Sequence, residues 1–203
     1  MQSIENKTSA RIYGNKRGWA FSKIDFLDLG NDADIRKALS GLAAKGTIRR
    51  VLRGLYDYPR ISQLLDSEMG PDLDQVAQAL ARKSGWRIQP SENTALNILG
   101  LSTQVPAQSV YLSNGPSKTY KIGNQQLVFK KRPLKESVFK HKESDLVVQA
   151  LRALGRERIN EKTLQKLAKQ WTPGKWQKIL RDTRTAPGWV SDLILKISKL
   201  ATS

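Results

Sequence analysis

The sequence predicts an α+β protein, and three observations carry that expectation. Apolar residues return at three-and-four spacing in several segments, as on helices with one buried face. Short β-prone runs bounded by Gly, Asn and Pro lie between those segments as far as residue 130. After Pro133 only helical periodicity is left. The expected organisation is a first domain over 1–60, a central mixed α/β unit with antiparallel strands over 61–135, and a helical bundle over 136–203.

Residues 31–58, NDADIRKALSGLAAKGTIRRVLRGLYDY, read as a short helix running into a basic two-stranded ribbon. Asp32 is placed to cap the helix, Ile35, Ala38, Leu39, Leu42 and Ala43 form its buried stripe, and Gly46 ends it. Thr47–Leu52 and Leu55–Tyr58 are β-prone runs joined through Arg53-Gly54, a turn with a permissive glycine. Upstream, Ser22-Lys23-Ile24-Asp25 has the form of a capping box and predicts a helix holding Ile24, Phe26, Leu27 and Leu29 that stops at Gly30. Leu29-Gly30-Asn31 then makes the corner between two helices. Helix, corner, helix and ribbon together predict an amino-terminal winged helix-turn-helix.

The outward face of the second of these helices holds Ala33, Arg36, Lys37, Ser40, Gly41 and Ala44, all small or basic. Small residues let a helix backbone approach base edges in the major groove, while Arg36, Lys37 and Ser40 can donate to bases or phosphates. Arg49, Arg50 and Arg53 would place positive charge on the ribbon and its tip. Duplex DNA is therefore the expected partner of these six residues. A basic face that merely stays wet is the plainer reading of the same pattern.

In the central block, Asp72 precedes the amphipathic run Leu73, Val76, Ala77, Leu80 and Ala81, which ends near Ser84-Gly85. Trp86-Arg87-Ile88 is extended, and Ser91 caps a helix with Ala95, Leu96, Ile98 and Leu99 that Gly100 stops. Three extended runs follow, Ser109–Leu112, Thr119–Ile122 and Leu127–Lys130, separated by Asn114-Gly115-Pro116 and Gly123-Asn124, which predicts an antiparallel meander. The last region carries four apolar stripes, centred on Leu146–Leu154, Ile159–Ala168, Trp176–Leu180 and Trp189–Leu200. Short links between them predict a compact bundle.

Composition narrows the possible functions. Among 203 residues there are 35 Lys and Arg against 18 Asp and Glu, a net charge of +17, which favours a polyanionic partner. The charge is uneven: residues 1–60 carry +6, 61–117 carry −2, 118–142 carry +7 and 143–203 carry +6. No stretch approaches the roughly 20 apolar residues that span a bilayer, and the first residues lack the apolar centre of a secretory signal, so no membrane association and a cytoplasmic location are expected. With no cysteine and the single His141, thiolate and two-histidine zinc sites are excluded, and the expectation is no catalytic group, no metal and no cofactor.

The apparent catalytic patterns have simpler explanations. Ser137-Val138-Phe139-Lys140 has serine–lysine spacing but none of its companion motifs, and Pro173-Gly174-Lys175 lacks the first glycine of a phosphate loop and reads as a helix start. Asp25 with Asp28, and Glu143 with Asp145, read as ordinary surface acids. A second basic surface is more open. Lys118, Lys121, Lys130, Lys131, Arg132 and Lys135, interleaved with Tyr120 and Phe129, could track a phosphate backbone, or could simply be the wet side of strands whose Tyr120, Ile122, Val128 and Phe129 face a core.

Three long strings, RGWAFSKIDFLDLG, IRKALSGLAAKGTIRRVLRGLYDYP and GWRIQPSENTALNILGLSTQVPAQSVYLSNGPS, resemble the AbiEi-type antitoxin family of type IV toxin–antitoxin systems. The resemblance implies an amino-terminal winged helix that represses its own operon by binding operator DNA, and a further region that counteracts a cognate AbiEii-type, nucleotidyltransferase-like toxin. It places DNA binding on Arg36, Lys37, Ser40, Arg49, Arg50 and Arg53. A homodimer on paired half-sites is the geometry common among such regulators. A stand-alone DNA-binding regulator is the nearest alternative, and an RNA-binding or RNA-modifying protein the more distant one.

Overall fold

The computed structural model describes residues 3–102, 104, 107–132 and 139–202. Within them the protein is mixed α+β, with helices and three separate small sheets. By compactness the chain divides into one unit of residues 1–86 with 119–127 and another of 87–118 with 128–203.

The first unit opens with α1 (Ile4–Gly14), which sequence periodicity had not marked. The Ser3 hydroxyl accepts from the Asn6 N–H at 3.2 Å, and the helix buries Thr8 and Ile12. β1 (Ala20–Phe21) follows, then a single 3-10 turn over Lys23–Phe26. That turn replaces the longer helix expected up to Gly30. Asp25 does close back on the Ser22 N–H at 2.9 Å, but Ile24 and Leu27 stay 40% and 49% exposed, so Phe26 alone of the 3-10 turn is buried in the core.

α2 spans Asp32–Ala44. Its cap is Asn31, whose side chain accepts from the Asp34 N–H at 2.9 Å, and not Asp32, which is the first helical residue. Ile35, Ala38, Leu39 and Leu42 are buried as the spacing requires, and Gly46 ends the helix in the left-handed conformation at φ +71°. β2 (Arg49–Leu52) and β3 (Leu55–Asp57) form the ribbon, pairing Arg49 with Asp57, Arg50 with Tyr56 and Leu52 with Leu55. The connection is Arg53-Gly54, and Gly54 at φ +70° supplies the backbone conformation that so tight a turn demands. β1 joins the free side of β3, giving the order β1-β3-β2.

Ile12, Phe21, Phe26, Ile35, Leu39, Leu42, Ile48 and Tyr56 close one core beneath this sheet. Each fully buried side chain of that size contributes roughly 1.5–3 kcal/mol relative to exposure. A short hairpin, β4 (Ile61–Ser62) with β5 (Ser67–Glu68), precedes α3 (Leu73–Ser84). Asp72 caps α3 as expected, accepting from Asp74 and Gln75, and Gly85 terminates it at φ +66°. α3 packs against β1 and β3. The Arg82 Nε meets Asp25 Oδ1 at 2.7 Å, and its Nη2 donates to the Ala20 carbonyl at 2.9 Å.

The second unit begins with β6 (Ile88–Pro90) and α4 (Glu92–Ile98), capped by Ser91 and stopped at Gly100, φ +64°. β7 (Gln108–Ser113), β8 (Lys118–Ile122) and β9 (Gln125–Lys131) match the three extended runs, although residues 119–127 are grouped with the first unit. Their order is β6-β7-β9-β8, so β9 lies between β7 and β8 and the expected meander is not formed. β6 takes one edge of the sheet and pairs antiparallel with β7. Four helices follow: α5 (Lys142–Leu154), α6 (Glu161–Ala168), α7 (Pro173–Asp182) and α8 (Gly188–Leu200). Val147, Ala150, Leu151, Leu167, Trp176, Ile179, Val190, Ile194 and Ile197 fill their common core, which also takes Ala95 and Leu99 of α4. Pro173 sits in the first turn of α7, as the helix-start reading of Pro173-Gly174-Lys175 requires.

Candidate nucleic-acid interface

α2 turns Ala33, Arg36, Lys37, Ser40 and Ala44 to solvent and leaves Gly41 half-buried, because its opposite stripe is sunk in the first core. The ribbon rises beside that face. Between them lies an open basin of about 440 Å³. Arg36 and Ser40 line it from the helix, Arg50 and Tyr56 from the paired strands, and Arg53 with Gly54 from the turn. Four of the six expected DNA-binding residues thus converge on one cavity. Lys37 is exposed on the same helix.

Two further cations that sequence patterning did not single out share the basin, Lys23 from the 3-10 turn and Lys83 from the end of α3. The Lys83 Nζ donates to the Arg53 carbonyl at 2.9 Å, so it braces the turn from below while adding charge. Lys23 and Lys83 come from segments 60 residues apart in sequence, and only the tertiary packing reveals that they meet Arg53 and Arg36. Their visible signal was weak: a lysine inside a capping box and another in the last turn of a helix.

Asp32 stands at the side of this cluster. One carboxylate oxygen contacts Lys23 Nζ at 2.6 Å and the other Arg36 Nη2 at 2.5 Å. The Lys23 hydrogen bond, opposed by partial desolvation and helped by the charge of Arg36, holds the Asp32 carboxyl below its ordinary range.

Arg49 is placed differently from the other ribbon arginines. Its Nη2 and Nε bind the two oxygens of Asp57 at 2.6 and 3.1 Å, and its Nη1 donates to the Met69 carbonyl at 2.9 Å, with Glu68 at 3.6 Å. The structure does not bring Arg49 to the basin.

The second basic group follows strand alternation. Ile122, Leu127 and Phe129 are buried, and Tyr120 and Val128 half-buried, while Lys118, Lys121, Lys130, Lys131 and Arg132 are exposed. Lys135 lies outside the described residues, as does Ser137 of the serine–lysine pattern. The carboxylate pairs have structural partners: Asp28 binds Arg11 at 2.5 and 2.6 Å, Asp25 binds Arg82, Glu143 meets Lys175 at 2.7 Å, and Asp145 accepts from Gln89 at 3.0 Å. Among the described residues no cluster of three His, Cys, Asp or Glu could hold a metal ion, and no helix is long and apolar enough to cross a membrane.

The central string of the sequence has a clear structural part. The Thr94 hydroxyl accepts from the Val110 N–H at 2.9 Å and donates to the Val110 carbonyl at 3.0 Å, riveting α4 to β7. Asn114 accepts from the Arg87 N–H at 2.8 Å, and Ser113 from the Gly115 N–H at 2.9 Å. These are contacts that hold a fold.

No curated protein matches the chain. Residues 7–179 match a family described as a family of unknown function, DUF6088, and the chain belongs to that family.

Proposed function

We propose that the first unit is a winged helix that binds duplex DNA, with α2 entering the major groove and the β2–β3 turn gripping the adjacent backbone. The order of α1, β1, the 3-10 turn, α2 and the β2–β3 ribbon, with β1 completing the sheet, supports this reading. The observation that carries it is the convergence of Lys23, Arg36, Arg50, Arg53 and Lys83 on one open basin that Ser40 and Tyr56 also line. Five cations around a shallow cavity suit phosphodiester oxygens, and Arg36 and Ser40 are the groups set to reach base edges. Arg49 in this reading supports the ribbon instead of touching DNA.

We further propose that the protein is the antitoxin of a toxin–antitoxin pair, a cytoplasmic repressor of its own operon that counteracts a nucleotidyltransferase-like toxin. This second part is supported by the resemblance of the three strings to AbiEi-type antitoxins. A stand-alone regulator would have the same DNA chemistry without the toxin.

Titration of a promoter duplex with increasing salt tests the first part. Arg50→Ala and Arg53→Ala are expected to weaken binding to every duplex, each lowering the salt slope by roughly one. Unchanged affinity and slope in both would overturn it. Co-expression with the product of the adjacent reading frame tests the second: growth rescue is expected, and its absence with a toxic neighbour would leave a stand-alone regulator.

A further inference from the structure

We propose that Asp32 is a built-in competitor of the DNA backbone: its carboxylate occupies Lys23 and Arg36 in the free protein and so restrains binding to duplexes of arbitrary sequence. This inference rests on the DNA-binding reading of the basin and adds to it an internal restraint on affinity.

The geometry singles out Asp32 among the acids of the first unit. It lies one helical turn before Arg36 on α2, and Lys23 reaches it from the preceding 3-10 turn, so a single carboxylate engages two of the five basin cations, each through a different oxygen. The helix does not need it as a cap. Asn31 already accepts from the Asp34 N–H, and Asp34 supplies a second acidic charge to the same first turn. What Asp32 does that Asp34 does not is hold basin cations.

A carboxylate and a phosphodiester compete for the same donors, since both offer anionic oxygens to ammonium and guanidinium N–H groups. The two pairs are partly open to water, with side-chain exposures of 41% for Lys23, 64% for Arg36 and 38% for Asp32. Pairs this exposed are individually weak and yield to a better set of acceptors. A duplex that offers only phosphates must displace Asp32 for little return. One that also offers base acceptors to Arg36 recovers the loss through contacts no other sequence provides. Asp32 therefore lowers affinity for every duplex that must recruit Lys23 and Arg36, and one with phosphates alone has no base contacts to offset the cost.

The full chain carrying Asp32→Asn, and the matched control Asp34→Asn, are titrated with a short duplex of scrambled sequence between roughly 50 and 200 mM salt. Both substitutions remove one acidic charge from the first turn of α2, but only the first releases Lys23 and Arg36. Asp32→Asn is expected to bind the scrambled duplex more tightly than Asp34→Asn. Its salt slope should be steeper by about 0.9 for each freed cation, roughly a further threefold loss of affinity across that range. Affinity and slope equal to those of Asp34→Asn, in a protein whose binding Arg50→Ala and Arg53→Ala still weaken, would overturn the competitor role alone. Weaker binding by Asp32→Asn would overturn it in favour of Asp32 orienting Arg36. Failure of the unaltered protein to bind any duplex at low salt would remove the DNA reading and this inference with it.

Discussion

Arg49 and Asp57 face each other across the β2–β3 ribbon, and the guanidinium holds both carboxylate oxygens, at 2.6 and 3.1 Å. Asp57 is 1% exposed. Burial pushes its carboxyl above the ordinary range, and the Arg49 hydrogen bond and charge pull against that shift without cancelling it. Arg49→Ala would leave a buried carboxylate without its partner, so we expect a loss of about 3 kcal/mol in denaturant unfolding. The deficit should shrink as pH falls. Asp57 in the variant has a still higher folded pKa, and protonation there favours the folded state. Arg50→Ala and Arg53→Ala, both exposed, should leave stability within about 0.5 kcal/mol of the parent. A variant at Arg49 as stable as these two would show that the pair contributes nothing to the ribbon.

Arg36 and Ser40 are expected to act on sequence preference, because they sit on the exposed face of α2 with small neighbours that permit close approach. Arg36→Ala and Ser40→Ala should narrow the gap between preferred and scrambled duplexes by about 1–3 kcal/mol at the contacted base. Competition titrations measure that gap directly. An equal loss on both duplexes would instead place these side chains on phosphates.

How much of this was readable beforehand depended on sequence distance. α2 and the ribbon were legible because their determinants are local: Ile35, Ala38, Leu39 and Leu42 repeat at helical spacing, and Gly46 and Gly54 mark the two backbone reversals. Arg36, Ser40, Arg50 and Arg53 followed from that placement. α1 was missed because Thr8 and Ile12 are its only fully buried residues, too few to give a stripe. Lys23 and Lys83 were missed because their place in the basin comes from packing of α3, fixed by the Arg82 contacts with Asp25 and the Ala20 carbonyl. Arg49 had the same chemistry as its neighbours in sequence. Only the register that sets it opposite Asp57 separates it from them.

Thr94 offers a test of the central string as a structural signature. Thr94→Val keeps the shape of the side chain but removes both hydrogen bonds to Val110, leaving the Val110 N–H without its partner beside a side chain 5% exposed, while the Val110 carbonyl keeps the Ser91 N–H at 2.9 Å. The expected cost is about 2 kcal/mol in unfolding of the second unit. Duplex binding at the basin should not change, because none of its lining residues lies in that unit. Lost duplex binding with unchanged stability would assign the string to recognition instead.

Asp145 gives the second unit a defined pH dependence. It lies in the first turn of α5, 8% exposed, and burial raises its carboxyl to about 6, with a hydrogen bond from Gln89 opposing the shift and the charge of Asp182 adding to it. Asp182 is less buried, and although desolvation raises its carboxyl too, the N–H groups of Lys140 and His141, both at 2.8 Å, hold it below the ordinary range, so it stays the charged member. The folded state keeps a proton on Asp145 that the unfolded chain has released from about pH 4 upward, so the folded state binds more protons in the interval and its stability falls as pH rises toward about 6. Above that the loss is complete and constant. Asp145→Asn keeps an oxygen for the Gln89 amide and removes the charge, so it should flatten this decline. We expect little change at pH 4 and a gain on the order of 1 kcal/mol at pH 8, allowing for the solvent that still reaches the group. Parallel unfolding curves across that range for the variant and the parent would mean that Asp145 titrates normally.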